Sequence, residues 1–277
     1  MSSRRFEPSR RAMLAGASAL AAAAATRAGA QPETKQDLAG RSVLITGTSS
    51  GFGRLTALHL ARLGATVIAS MRNYDGGRRP AARELAQIAE DEKLDLHVVE
   101  IDVLDEDLIA SGVAEAEELA GGALDVLVNN AGVGLSGPAE LADMEATRLI
   151  FETNLFGYLR MARAVLPKMR EQGEGQVFNV SSQLGRILIP NLSMYCATKF
   201  GVEAMFETMA YELAPFGVEF AGARALGAVF AKDAMLLFGE RLAPFFGRAC
   251  HAPLDWPPPG LPRRLKWRLP PCPPPEE

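Results

Sequence analysis

From Asp37 onward the chain alternates between short, continuously apolar runs and longer stretches whose apolar positions recur every three or four residues. The first kind read as buried strands and the second as amphipathic helices. Strands are expected at Arg41–Thr46, Thr66–Met71, Leu96–Asp102, Leu124–Asn129 and Gln176–Ser181. A helix is expected from Gly53 to Leu63, where Leu55, Leu58, Leu60 and Leu63 share helical spacing and Gly64 closes the element. Further helical stretches cover residues 81–93, 105–120, 139–171 and 192–214. A run such as Asp125-Val126-Leu127-Val128 must be covered on both faces, and parallel strands need the long crossovers that the helices provide. The pattern predicts an α/β fold, a doubly wound parallel sheet in one domain over residues 38–246.

Both ends break this rhythm. Residues 1–30 open with Arg4-Arg5 and Arg10-Arg11, continue through an apolar run from Met13 to Ala25, and finish Ala28-Gly29-Ala30. Charged, apolar and small segments in that order read as a signal peptide. The apolar run falls short of the roughly 20 residues that cross a bilayer, so no membrane span is expected. Ser9-Arg10-Arg11-Ala12-Met13-Leu14 resembles the twin-arginine signal for export of folded proteins, which predicts a periplasmic location. The alternative is an Ala-rich start with incidental Arg and a cytoplasmic protein. At the other end, residues 253–277 hold ten Pro, and the stretch 247–277 is expected to be an extended, disordered tail that adds no strand.

Charge and cysteine content narrow the chemistry. Residues 1–30 carry five Arg and one Glu, which leaves 24 basic and 32 acidic residues on the remainder, a net charge of −8. An acidic body offers no footprint for nucleic acid or an anionic membrane surface. Cys196, Cys250 and Cys272 cannot make a disulfide framework and, with three His, show no metal-ligand spacing, so no metal is expected.

Thr46-Gly47-Thr48-Ser49-Ser50-Gly51-Phe52-Gly53 sets three glycines between the first strand and the first helix. In a dinucleotide-binding turn Gly47 would allow the bend, Gly51 would let backbone approach a pyrophosphate, and Gly53 would permit close helix–strand packing. The helix N-terminus adds N–H groups and a dipole that favour an anion. The second strand ends Ala69-Ser70-Met71-Arg72-Asn73, without the carboxylate that would bind an adenosine ribose and repel a 2′-phosphate. Arg72, with Arg54 as a helper, therefore points to NADP(H) in preference to NAD(H).

Tyr195-Cys196-Ala197-Thr198-Lys199 starts the last helical stretch, and the four-residue spacing stacks Tyr195 and Lys199 on one face. An adjacent ammonium favours phenolate, so the Tyr195 pKa is expected below its usual value of about 10, nearer the working range of a general acid or base. On spacing alone the pair is an ordinary helix couple. Its company changes that. Ser181-Ser182 ends a strand, Asn129-Asn130-Ala131-Gly132 closes another, and Asn154 lies in Glu152-Thr153-Asn154-Leu155-Phe156-Gly157. Strand ends of a doubly wound sheet line its ligand crevice. Asn154 by itself reads equally as an internal polar cap.

In order and spacing these residues resemble the short-chain dehydrogenase/reductase family. The resemblance runs over about residues 38–220: the turn at 46–53, Asp102-Val103, Asn129-Asn130-Ala131-Gly132, Asn154, Ser182-Gln183-Leu184-Gly185, and Tyr195 with Lys199. It implies a Rossmann-like fold and a nicotinamide-dependent oxidoreductase acting on a small-molecule alcohol or carbonyl compound. Tyr195 would be the acid/base and Ser182 would hydrogen-bond the substrate oxygen. Lys199 would hold the nicotinamide ribose and lower the Tyr195 pKa, while Asn154 would position a relay water. Gly47, Ser49, Ser50, Gly51, Phe52, Gly53, Arg72, Asp102, Val103, Asn129, Ala131 and Gly132 would line the dinucleotide site, Asp102 and Val103 at the adenine and Asn129 as a sheet stabiliser. Phe151–Gly157 and Tyr195–Gly201 are similar to steroid and retinol dehydrogenases of this family. With Val133-Gly134-Leu135, Met235–Phe238, Leu242 and Phe245-Phe246, which read equally as helix packing or as the lining of an apolar pocket, they suggest an apolar substrate. Val202, Met205, Phe206 and Met209 give the last helix more than one apolar face, and a homodimer or homotetramer is expected. One segment departs from the family: Ala225-Leu226-Gly227-Ala228-Val229 keeps Gly227 but lacks the family's preceding Pro and following Thr. A catalytically impaired dinucleotide-binding scaffold or sensor is the alternative.

Overall fold

A computed structural model describes residues 38–225 of the chain. The expected leader at 1–30, the tail at 247–277, the apolar run 235–246 and the segment 226–229 lie outside the described residues.

Six strands form one wholly parallel sheet: β1 (Ser42–Ile45), β2 (Thr66–Met71), β3 (Leu96–Glu100), β4 (Val126–Asn129), β5 (Gly175–Ser182) and β6 (Val218–Ala225), in the order β3-β2-β1-β4-β5-β6. After β1 the chain runs outward to β2 and β3, then returns to the other side of β1 as β4. The reversal opens a crevice beyond the carboxyl ends of β1 and β4, the place where such sheets bind ligands.

The strands alternate their side chains between two cores because successive Cβ atoms point to opposite faces. Val43 and Ile45 pack with Val67, Ala69, Val126 and Val128 against helix α1 (Gly51–Arg62) and helix α2 (Pro80–Glu92), through Ala57, Leu60, Ala82 and Leu85. Leu44, Ile68, Val99, Leu127 and Val177 face the other way. There they meet α3 (Glu106–Ala120), α5 (Gly157–Gln172) and α6 (Ser193–Leu213), through Val113, Met161, Val165 and Val202. Both faces of the sheet are therefore dry, which is why these strands read as unbroken apolar runs.

The expected helix over 139–171 is divided. A 3-10 turn at Ala139–Leu141 precedes α4 (Met144–Phe151), whose first turn is capped by the Asp143 carboxylate accepting from Ala146 N–H at 2.7 Å. A π-helical turn at Glu152–Phe156 then separates α4 from α5 and carries Asn154. Such a widened turn hardly alters apolar spacing, so periodicity does not register it, and π-turns concentrate at functional sites. Of the apolar residues of α6 expected to offer an oligomer face, Val202 and Phe206 are buried core, and Met205 and Met209 are partly buried against it. The large apolar side chains that remain exposed nearby are Leu149, Phe156, Phe200 and Tyr211.

Candidate active site

The glycine turn is held by side chains from β1 and from the end of β4. Thr46 Oγ1 accepts the backbone N–H groups of Asn130 and Ala131 at 2.9 and 3.0 Å. Asn130 Nδ2 donates to the carbonyls of Thr46 and Gly47 at 2.8 and 3.1 Å. Thr48 donates from both its N–H and its hydroxyl to the Ser70 carbonyl at the end of β2, each at 3.0 Å. Gly47 has φ +71°, and a Cβ there would lie 2.8 Å from the Ala131 Cα. Gly51 has φ +58° with open space where a side chain would stand, and a Cβ on Gly53 would lie 2.5 Å from the Gly47 carbonyl oxygen. Ser49 is half-buried, Ser50 is exposed at the N-cap of α1 without capping it, and Phe52 is half-buried. A braced backbone cradle, bare of side chains over Gly51 and opening onto the start of α1, fits a pyrophosphate. Asn130 was not singled out from the sequence, because its acceptors are carbonyls more than eighty residues away along the chain.

The adenosine end is less constrained. Arg72 is exposed just past β2, and its carbonyl accepts a hydrogen bond from the Arg79 guanidinium. Arg54, the expected helper, is instead paired with Glu84 at 2.8 Å. The Asp102 carboxylate accepts from Leu104 N–H at 3.0 Å. Val103 is buried: a Cβ on Gly157 would come within 2.9 Å of its Cγ2, so that side chain serves the packing of α5. Asn129 is fully buried and donates to Asn179 Oδ1 at 3.0 Å and to the Tyr158 carbonyl at 3.4 Å, joining β4, β5 and α5.

The structure brings Ser182, Tyr195 and Lys199 together where β5 ends against α6. The Ser182 hydroxyl accepts Leu184 N–H at 3.1 Å, which fixes its direction, and it lies near enough to the Tyr195 phenol to draw down the phenol's pKa. Lys199 is only 4% exposed, with Nζ 5.8 Å from the Tyr195 ring centroid and donating to the Val180 carbonyl at 2.8 Å. Electrostatics here reverse one expectation. Burial pushes the Tyr195 phenol above its ordinary value, the Ser182 hydroxyl pulls it back, and Cys196 adds a smaller upward push. The expected lowering by Lys199 is outweighed. The ammonium is itself penalised by burial, which brings Lys199 down to about 8 against the pull of Glu203.

Asn154, expected to position a relay water, uses its side chain to bridge two parts of the crevice. Its Oδ1 accepts Val133 N–H at 2.8 Å, and its Nδ2 donates to the Val133 carbonyl at 2.9 Å and to Thr198 Oγ1 at 3.4 Å. Both N–H donors are thus committed. Thr198 in turn donates to the Tyr195 carbonyl at 2.8 Å. The π-turn therefore couples the loop after β4, which includes Ala131 and Gly132, to the helix that carries Tyr195. The loops that follow β4 and β5 expose four large apolar side chains, Leu141, Ile187, Leu188 and Ile189, with Leu141 at 76% and Leu188 at 77%. The two loops that bear them are tied by Gly137 N–H donating to the Asn191 carbonyl at 2.7 Å.

Among the described residues no group of three or more His, Cys, Asp and Glu could hold a metal ion, and no helix is long and apolar enough to cross a membrane. The arrangement can position a carbonyl or hydroxyl oxygen between two hydroxyl groups beside a buried cation, next to a cradle for a phosphate-bearing cofactor.

Comparison with known proteins agrees in kind. The family model described as short chain dehydrogenase matches residues 41–229. The mitochondrial D-beta-hydroxybutyrate dehydrogenase of Rattus norvegicus is 37% identical over 187 residues, covering 65% of this chain and 52% of that protein. Retinol dehydrogenase 8 of Bos taurus is 38% identical over 181 residues, covering 64% and 56%. The chain thus spans little more than half the length of these relatives. Among solved structures, a gluconate 5-dehydrogenase from Burkholderia cenocepacia in complex with NADP and tartrate superposes with a TM-score of 0.62 at 30% identity, covering 68% of this chain and 71% of that one.

Proposed function

The chain belongs to the short-chain dehydrogenase family, and from that premise we propose that it is an NADP(H)-dependent oxidoreductase interconverting an alcohol and its carbonyl compound. The observation that supports this most is the gathering of the Ser182 hydroxyl and the Tyr195 phenol at the end of β5, with the Lys199 ammonium 5.8 Å from the Tyr195 ring. When bound, the nicotinamide supplies or accepts the hydride. Gly47, Ser49, Ser50, Gly51, Phe52 and Gly53 would hold the pyrophosphate, Asp102 and the backbone of Val103 would border the adenine, and Ala131 and Gly132 would line the floor. Lys199 and Tyr195 would hold the nicotinamide ribose. Arg72 would meet the 2′-phosphate without help from Arg54, which Glu84 occupies. With no carboxylate at the end of β2, NADP(H) is preferred, and NAD(H) is the alternative cofactor.

Proton movement follows from the electrostatics. A phenol held above its ordinary value keeps its proton at neutral pH, so Tyr195 donates from Oη to the substrate oxygen in the reducing direction. Ser182 offers its hydroxyl to the same oxygen as negative charge grows there. Asn154 is a positioning residue, holding Val133 and Thr198 so that the two sides of the crevice keep their spacing. The exposed Leu141, Ile187, Leu188 and Ile189 support a bulky apolar alcohol or ketone as substrate.

A homodimer or homotetramer would cover Leu149, Phe156, Phe200 and Tyr211, and the twin-arginine-like leader supports export to the periplasm. The missing Pro and Thr around Gly227 favour the second reading, a dinucleotide-binding scaffold without turnover. NADPH titration of the full chain, followed by NADPH oxidation against apolar and polar carbonyl compounds, separates the two. Binding with turnover of the apolar set is expected, binding without turnover of any compound would favour the scaffold, and no NADPH binding would refute both.

A further inference from the structure

Two donors meet at one buried carbonyl. The Val180 oxygen accepts from Lys199 Nζ at 2.8 Å and from the Tyr158 hydroxyl at 3.1 Å. Val180 stands one residue beyond the last β4–β5 pair, Asn129 with Asn179. Tyr158 is fully buried on α5, with its ring 6.4 Å from that of Phe206, and Lys199 Nζ lies 5.3 Å from the Tyr158 ring centroid. The ammonium therefore sits between the rings of Tyr158 and Tyr195, anchored on an oxygen that it shares.

We infer that Tyr158 is a positioning residue for Lys199, its hydroxyl keeping the Val180 carbonyl bonded when the ammonium turns from that oxygen to a bound dinucleotide. The inference rests on the proposed role of Lys199 at the nicotinamide ribose. A buried ammonium needs an acceptor, and a buried carbonyl stripped of its donor is costly. Without the Tyr158 hydroxyl, Lys199 leaving Val180 would forfeit the hydrogen bond that satisfies that oxygen. With it, one donor stays behind. The Tyr158 ring also offers the cation a π-face within the range of about 6 Å over which such attraction acts. Packing does not ask for a hydroxyl here: Tyr158 is embedded in the apolar cluster with Met161, Val165 and Phe206, where a Phe would fit as well.

NADPH titration of the full chain by fluorescence tests this with Tyr158→Phe, Lys199→Met and the double variant, each checked for folding by its melting temperature. Tyr158→Phe should bind NADPH about five- to thirtyfold more weakly, the loss expected when a buried acceptor loses its second donor. In the double variant the Tyr158 change should add nothing to the effect of Lys199→Met, because there is no ammonium left to release. Wild-type affinity in Tyr158→Phe would overturn the inference, as would an equal loss in both backgrounds, which marks a merely structural hydroxyl. Wild-type affinity in Lys199→Met would refute the ribose role of Lys199 and the inference with it, a failure seen in a different variant.

Discussion

Thr46→Val removes one hydroxyl from beneath the glycine turn and leaves the shape of the side chain almost unchanged. That hydroxyl accepts two backbone N–H groups, from Asn130 at 2.9 Å and Ala131 at 3.0 Å, while its own bond to the Val128 carbonyl is long at 3.5 Å. Leaving a buried donor unpaired costs about 1–3 kcal/mol. Asn130 and Ala131 are half-buried, so water can partly compensate, and the low end of that range applies to each. The sum is about 2 kcal/mol, a large part of the roughly 5–15 kcal/mol that holds a domain folded. Thr46→Ser keeps the acceptor and loses only a methyl group, for about 1 kcal/mol. Urea unfolding of the full chain followed by circular dichroism measures both, and the Val variant should lose about twice as much as the Ser variant. NADPH affinity should follow the same order, since the two N–H groups belong to the strand end that braces Gly47. Equal stability of the Ser and Val variants would refute this account of the turn.

Other outcomes follow from the same geometry. Burial brings Lys199 to about 8 against an ordinary 10.5, so the dinucleotide-free folded state binds fewer protons than the unfolded chain between those pH values. Stability should therefore rise with pH across that window by up to roughly 3 kcal/mol relative to Lys199→Met; parallel pH profiles of the urea midpoints would show that the amine is not held low. Arg72→Ala should weaken NADPH about tenfold, the lower end for a charge-assisted bond at an exposed site, and leave NADH unaffected; equal losses for both would remove the 2′-phosphate contact. Gly53→Ala drives a Cβ to 2.5 Å from backbone that cannot step aside, costing about 1–3 kcal/mol and NADPH affinity; normal NADPH binding by that variant would dissociate the turn from the cofactor.

Much of this architecture was legible in the sequence because burial on both faces leaves strands such as Val43-Leu44-Ile45 with no polar position, and because the helices between them keep a clean apolar stripe. The cluster of Ser182, Tyr195 and Lys199 was legible through residue type and order. What the sequence concealed has physical causes. The widened turn at Glu152–Phe156 barely changes apolar spacing, so one long helix was expected where two lie. Asn130 works on carbonyls across the crevice, which no local pattern reveals. The direction of the Tyr195 shift was misjudged because the neighbouring ammonium is visible in the sequence and desolvation is not. Val202, Met205, Phe206 and Met209 looked like a spare apolar face, yet a helix clamped between β5, β6 and the π-turn uses several faces for its own core.

In the proposed reaction Tyr195 moves the proton that accompanies hydride transfer. The most direct measurement compares NADPH oxidation by the full chain and by Tyr195→Phe on an apolar ketone, with NADPH affinity determined for both. The phenol's removal should cut turnover about 10²- to 10⁴-fold, the worth of a positioned acid, while NADPH still binds. Turnover by Tyr195→Phe at the wild-type rate would contradict the account.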